Sequence, residues 1–136
     1  MLQTLVLPNP SGANPFTFVV PGHQRWKLLA VHATLNRAVG GAPNRSVNLT
    51  ITDGTFTIAT TGVQDLGTEP GVEIVTWTNV TPSAVAVGAN AVAVGALPQL
   101  TLPSGYTILG TITNSVAGDG WFQPTAWYDF AFTDTS

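Results

Sequence analysis

The clearest pattern along the chain lies at residues 47–58. Val47, Leu49 and Ile51 alternate with Asn48, Thr50 and Thr52; Asp53-Gly54 follows, then Thr55-Phe56-Thr57-Ile58. Period-two alternation places one set of side chains on one face of a strand. A two-residue Asp-Gly turn of type I′ pairs Thr52 with Thr55, Ile51 with Phe56 and Leu49 with Ile58, so that apolar meets apolar and Thr meets Thr. The expectation is a β-hairpin in that register.

Other segments read the same way. Leu2-Gln3-Thr4-Leu5-Val6-Leu7 forms a short strand, cut off by Pro8, Pro10, Gly12 and Pro15. Residues 1–15 are therefore expected to be an extended arm separate from the body, and 16–136 a single domain. Phe16 to Val20 is a strand ending at Pro21-Gly22. Residues 26–35 (WKLLAVHATL) fit two templates: Lys27, Leu29, Val31, Ala33 and Leu35 share strand parity, whereas Trp26, Leu29, Ala30 and Ala33 fit a helical stripe. Context favours a long strand.

Residues 61–71 read as a Thr/Gly-rich loop, and 72–78 as a strand. Ala84 to Ala89 and Ala91 to Ala96 are two copies of one hexad separated by Asn90. Gly in each copy and alternating Val argue for extended chain over a heptad helix. Such uncharged small-residue strands aggregate when exposed, which places Val85, Val87, Val92 and Val94 in an interface or against the core. Leu97 to Pro103 is a short edge strand bounded by prolines. Residues 106–113 and 121–132 are strands around a loop at 114–120. Eight or nine short strands predict an all-β protein, an antiparallel β-sandwich of jelly-roll type.

Composition sharpens this picture. Only 11 of 136 residues are charged, 8%, against about 25% in a typical domain. Twenty threonines supply polarity instead, and Thr suits a half-exposed strand. A monomer of this size exposes roughly 6,800 Å², so charge is sparse enough to suggest that part of the surface is covered, most simply by copies of the chain. No 18-residue apolar run exists, so no membrane-spanning helix is expected. Nor is a secretory leader, because Met1 to Pro10 has no basic residue. The sequons at Asn44, Asn48 and Asn79 then read as by-products of a Thr-rich chain. There is no cysteine, hence no disulfide or thiolate metal site.

Charge is also segregated. Arg25, Lys27, Arg37 and Arg45 are the only basic residues, and all seven acidic residues lie at or after Asp53. This marks either a directional docking surface or two ordinary solvated loops. Candidate assembly contacts are therefore Arg25, Lys27, Arg37 and Arg45, the apolar residues Leu2, Leu5 and Leu7 of the arm, and the four valines of the repeat.

Candidate chemistry is thin. His32 reads as a partly buried, hydrogen-bonded structural histidine, and His23 as exposed after a turn. No serine lies in G-x-S-x-G, and Asp53 and Asp119 each precede a glycine, where turn geometry explains them. No phosphate loop or dinucleotide fingerprint is present, and four basic residues are few for a nucleic-acid surface. No enzymatic activity, cofactor, metal, nucleic acid or membrane is expected. Trp26, Trp77, Trp121 and Trp127 either fill the core and interfaces or form a sugar-stacking platform.

Several landmarks come in order: Val20-Pro21-Gly22 with Arg25-Trp26 and Leu28 to Leu35; Asn44-Arg45-x-Val47-x-Leu49-x-Ile51-x-Asp53-Gly54; Leu97-Pro98, Leu102-Pro103-x-Gly105-Tyr106, and Asn114 through Gly118-Asp119-x-Trp121. This order, over residues 19–128, resembles small virion proteins of tailed bacteriophages encoded among head genes. The arm and the Ala/Val/Gly repeat lie outside that pattern, and it carries no catalytic residues. The resemblance implies a structural part of the particle: a capsid cement (decoration) protein, expected as a homotrimer contacting the major capsid protein at the shell surface. The alternative it leaves open is a receptor- or carbohydrate-binding module of a fibre or tail tip.

Overall fold

In a computed structural model the protein is all-β, built from two sheets packed face to face. The structure describes residues 1–38, 45–61, 64–67, 70–78 and 90–133, with the backbone alone for 64–67, 73 and 90–95. The strands are β1 (Leu2–Val6), β2 (Phe16–Val19), β3 (Gln24–Arg37), β4 (Arg45–Thr52), β5 (Thr57–Thr60), β6 (Gln64–Gly67), β7 (Gly71–Thr78), β8 (Asn90–Ala96), β9 (Thr101–Pro103), β10 (Thr107–Thr113) and β11 (Gly120–Phe132). The first sheet runs β1-β11-β3-β7-β8, with β9 also on β3. The second runs β2-β10-β4-β5, with β6 also on β4.

Eleven strands among the described residues exceed the eight or nine expected. One addition is β6, inside the segment read as a loop. It pairs with the first residues of β4, where β5 does not reach. A second difference is the β7–β8 pair, which is parallel in an otherwise antiparallel fold. The eleven residues between these strands are enough chain to return to the start of β7, which a parallel neighbour requires.

The ambiguous run at 26–35 is strand throughout. Its mixed pattern comes from a β-bulge: Ala30 pairs with Trp127 and Leu28 with Tyr128, so Leu29 has no counterpart. One extra residue reverses which parity faces inward. Trp26 and Leu28 are buried before the bulge, and Val31, Ala33 and Leu35 after it.

The hairpin at Asp53-Gly54 forms, but in another register. Asp53 Oδ1 accepts from the backbone N–H groups of Thr55 and Phe56, both at 2.8 Å. This Asx-type closure makes residues 53–56 a four-residue loop, with Gly54 at φ 100°. Pairing begins at Thr52 with Thr57 and continues, after a bulge, with Ile51 opposite Ala59. The expected Ile51–Phe56 and Leu49–Ile58 pairs do not form, and Phe56 and Ile58 are exposed.

Residues 2–6 are not separate from the body. β1 pairs with β11 of the same chain, Leu2 opposite Asp129 through Val6 opposite Thr125. Leu5 and Leu7 pack against the core. Their burial favours this docking over a free arm, and the Leu7 N–H extends it by donating to the Pro124 carbonyl at 2.8 Å. Pro124 sits at a second bulge, where it removes no ladder bond. There Gln123 takes φ 46°, and its N–H donates to Asn9 Oδ1 at 2.8 Å.

The core lies between the sheets. Phe16 of β2 meets Trp121 of β11 edge to face at 5.1 Å, and Trp121 lies 6.4 Å from Trp77 of β7. Trp26 stacks on Tyr128 at 3.7 Å, with its ring N–H donating to Gln24 Oε1.

Candidate assembly surface

The two outer faces of the sandwich differ in chemistry. On the second sheet the outward positions are mostly threonine. Thr52 Oγ1 and Thr107 Oγ1 lie 2.7 Å apart, Thr111 donates to Asn48 Oδ1 at 2.7 Å, and Asn48 Nδ2 donates to Thr60 Oγ1 at 3.1 Å. These lateral hydrogen bonds tie the hydroxyls to one another across the strands.

The outer face of the first sheet is uncharged over three successive rows, in which threonines and His32 are interleaved with Phe122, Ile74, Val6, Trp127 and Ala30. Phe122 stands opposite Thr34, and Thr34 opposite Ile74. In the next row Val6 neighbours Thr125, then His32 and Thr76. In the third, Thr4 neighbours Trp127, then Ala30 and Thr78. Val6, Val72, Ile74 and Phe122 are exposed. At the centre, the His32 ring meets Trp127 edge-on at 6.1 Å. Partial burial holds the His32 pKa below its ordinary value, because desolvation disfavours the cation.

The predicted contact residues fall into several environments. Leu2 is exposed at the sheet edge, whereas Leu5 and Leu7 are spent on the chain's own core. Arg25 and Lys27 are exposed. They line a cavity of about 240 Å³ with Met1, Thr101, Asp129 and Phe130, in which the Met1 amine pairs with Asp129. Arg37 and Arg45, expected at a docking surface, are instead buried, at 3% and 0% exposure. Val92 and Val94 occupy register positions opposite Ile74 and Thr76. Val85 and Val87 lie outside the described residues.

The burial of Arg45 has a specific cause. Its Nε donates to Asp119 Oδ2 at 2.7 Å, both side chains being inaccessible to solvent. The same oxygen accepts from the Val116 N–H at 3.0 Å, and Oδ1 accepts from the Ala38 N–H at 2.9 Å. Burial pushes the Asp119 pKa up, but the Val116 and Ala38 donors and the Arg45 charge outweigh it, so the carboxyl is held below its ordinary value. Asp119 is thus more than a turn residue. A carboxylate so saturated is a structural clamp and not a free acid or base.

The tryptophans do not form a platform. Trp26, Trp77 and Trp121 are within the core, and only Trp127 reaches the outer face. His23 is exposed, at φ 62°. Among the described residues no group of three or more His, Cys, Asp or Glu converges as metal ligands would, and no helix is long and apolar enough to cross a membrane. No family model, curated protein or solved structure matches the chain.

Proposed function

We propose that this chain is a structural protein of a tailed-phage virion, a cement protein that binds across major capsid subunits at the shell surface. The observation that carries the reading is the scarcity of surface charge. Arg37, Arg45 and Asp119 are buried, so at most eight of 11 charges serve a surface of 6924 Å². That is about 870 Å² per charge, more than the largest apolar patch of an ordinary monomer.

The strand order supports a jelly roll. Among β1, β2, β3, β4, β5, β7, β10 and β11, consecutive members lie in opposite sheets except β4 and β5, in the orders β1-β11-β3-β7 and β2-β10-β4-β5, as in two Greek keys folded over one another. A shell protein on such a scaffold works by burial: each copy covers apolar surface on neighbouring subunits, at roughly 25 cal/mol per Å². Burial of three of the four tryptophans removes the sugar platform on which the carbohydrate-binding alternative rested.

The test is localisation. Antibody against the chain should label intact phage heads at many copies per particle, and heads lacking the chain should lose DNA at lower temperature. A chain absent from purified particles would refute the reading.

A further inference from the structure

We propose that the outer face of the first sheet is the docking site for a second copy of this chain, packed sheet against sheet. The inference goes beyond a place in the virion, because it concerns what the chain does with itself wherever it resides.

Three observations carry it. The first is charge. Across the Thr34, His32 and Ala30 rows, no described position on the face bears a formal charge. The nearest charged pair, Lys27 opposite Asp129, lies beyond the Ala30–Trp127 row. Such a face meets its own copy without like-charge repulsion.

The second is contrast. The second sheet satisfies its threonine hydroxyls laterally, and its exposed Val19 and Ile58 stand apart on β2 and β5, at opposite ends of the strand order. The first sheet instead exposes Val6, Ile74, Val72 and Phe122, which gain from burial.

The third is area. With strands about 4.8 Å apart and a rise of about 3.3 Å per residue, four strands and the stretch Ala30–Asn36 span roughly 20 by 25 Å. Two copies would bury about 1,000 Å² in all, the lower limit for a specific interface. The contact is therefore of modest affinity. It is also isologous, the same patch on both partners, and closes at two copies where the phage resemblance suggests three.

His32 would lie in the middle of this contact. It faces Thr125 and Trp127 on β11 and Thr76 on β7; the carboxylates of those strands stand at other register positions, Asp129 opposite Lys27 and paired with the Met1 amine, and Glu73 opposite Leu35. Below neutral pH the imidazolium must be buried or the copies must part.

Sedimentation equilibrium of the full chain between roughly 1 µM and 1 mM, where an interface of this size operates, tests the proposal. A monomer–dimer equilibrium is expected at pH 7.5, with its dissociation constant raised about tenfold or more by Ile74→Lys and, independently, by Phe122→Asp. Thr17→Lys, on the outer face of the second sheet, should leave it unchanged. Lowering the pH to 5 should weaken the dimer, and His32→Gln should abolish that pH dependence. Circular dichroism establishes that each variant is folded. A chain monomeric throughout the range overturns the proposal. So does a dimer that both first-sheet variants leave intact, or one that Thr17→Lys dissolves. Virion localisation is read separately, so either result can fail without the other.

Discussion

Arg45 and Asp119 hold one another at 2.7 Å where neither touches solvent, and they join the start of β4 in one sheet to the residue before β11 in the other. Removing one member of such a pair leaves a buried charge with no counter-ion, at a cost of about 3–5 kcal/mol. Asp119→Ala also strands the N–H groups of Ala38 and Val116. Urea denaturation of the variant should show stability reduced by at least that amount. A loss under about 1 kcal/mol would mean that the pair is not what closes this end of the sandwich.

The same carboxylate shapes the acid response. Its folded-state pKa lies below its ordinary value, so its contribution is present above about pH 4 and is lost as the pH falls through the folded value. Thermal melts from pH 6 to pH 2 should show a declining midpoint over the lower part of that range. In Asp119→Asn the decline should be shallower, from a lower starting point.

Gly110 lies across from Phe16 on the neighbouring strand, and the Phe16 ring occupies the space that a side chain would need. A Cβ there would stand 2.1 Å from the ring. The ring cannot withdraw, because it also packs on Phe18 and Trp121. Gly110→Ala should cost about 1–3 kcal/mol or more, measured by chemical denaturation. Pairing it with Phe16→Leu should recover part of the loss.

The Leu29 bulge makes a sharper prediction. Deleting Leu29 removes the extra residue and leaves Trp26, Leu28, Val31, Ala33 and Leu35 in strict alternation on the core face, with Leu28 and Ala30 still opposite Tyr128 and Trp127. The deletion variant should therefore fold and melt cooperatively. Leu29→Ala keeps the bulge and should also remain folded, with only a small loss. A deletion variant without a cooperative melt would show that the sheet requires the bulge itself and not only the parity on either side of it.

These residues also mark how far the sequence can be read. Strand identity was legible at Val47, Leu49 and Ile51, where alternation runs unbroken and all three side chains are buried. It was blurred at Trp26 to Leu35, because a bulge imitates a helical stripe and nothing local announces one. The Asp53-Gly54 turn was recognised but its register was not: the carboxylate captures two backbone N–H groups, which outcompetes the two-residue turn. Arg45 and Asp119 are 74 positions apart, so their partnership exists only in three dimensions, and each looked like a surface or turn residue alone. The uncharged outer face was hidden for a related reason. Val6, His32, Ile74 and Phe122 come from four different strands, and no single segment reads as an exposed patch.

The central pairing of the first sheet has a consequence for how the chain comes to fold. Leu28 and Tyr128 sit opposite one another, a hundred positions apart in the chain. Closing so long a loop costs entropy before any stacking of Trp26 on Tyr128 repays it. During synthesis β3 must wait, with Trp26 and Leu28 uncovered, until β11 has left the ribosome. Acquisition of the native state should therefore be slow, and its vulnerable interval is set by the rate of translation.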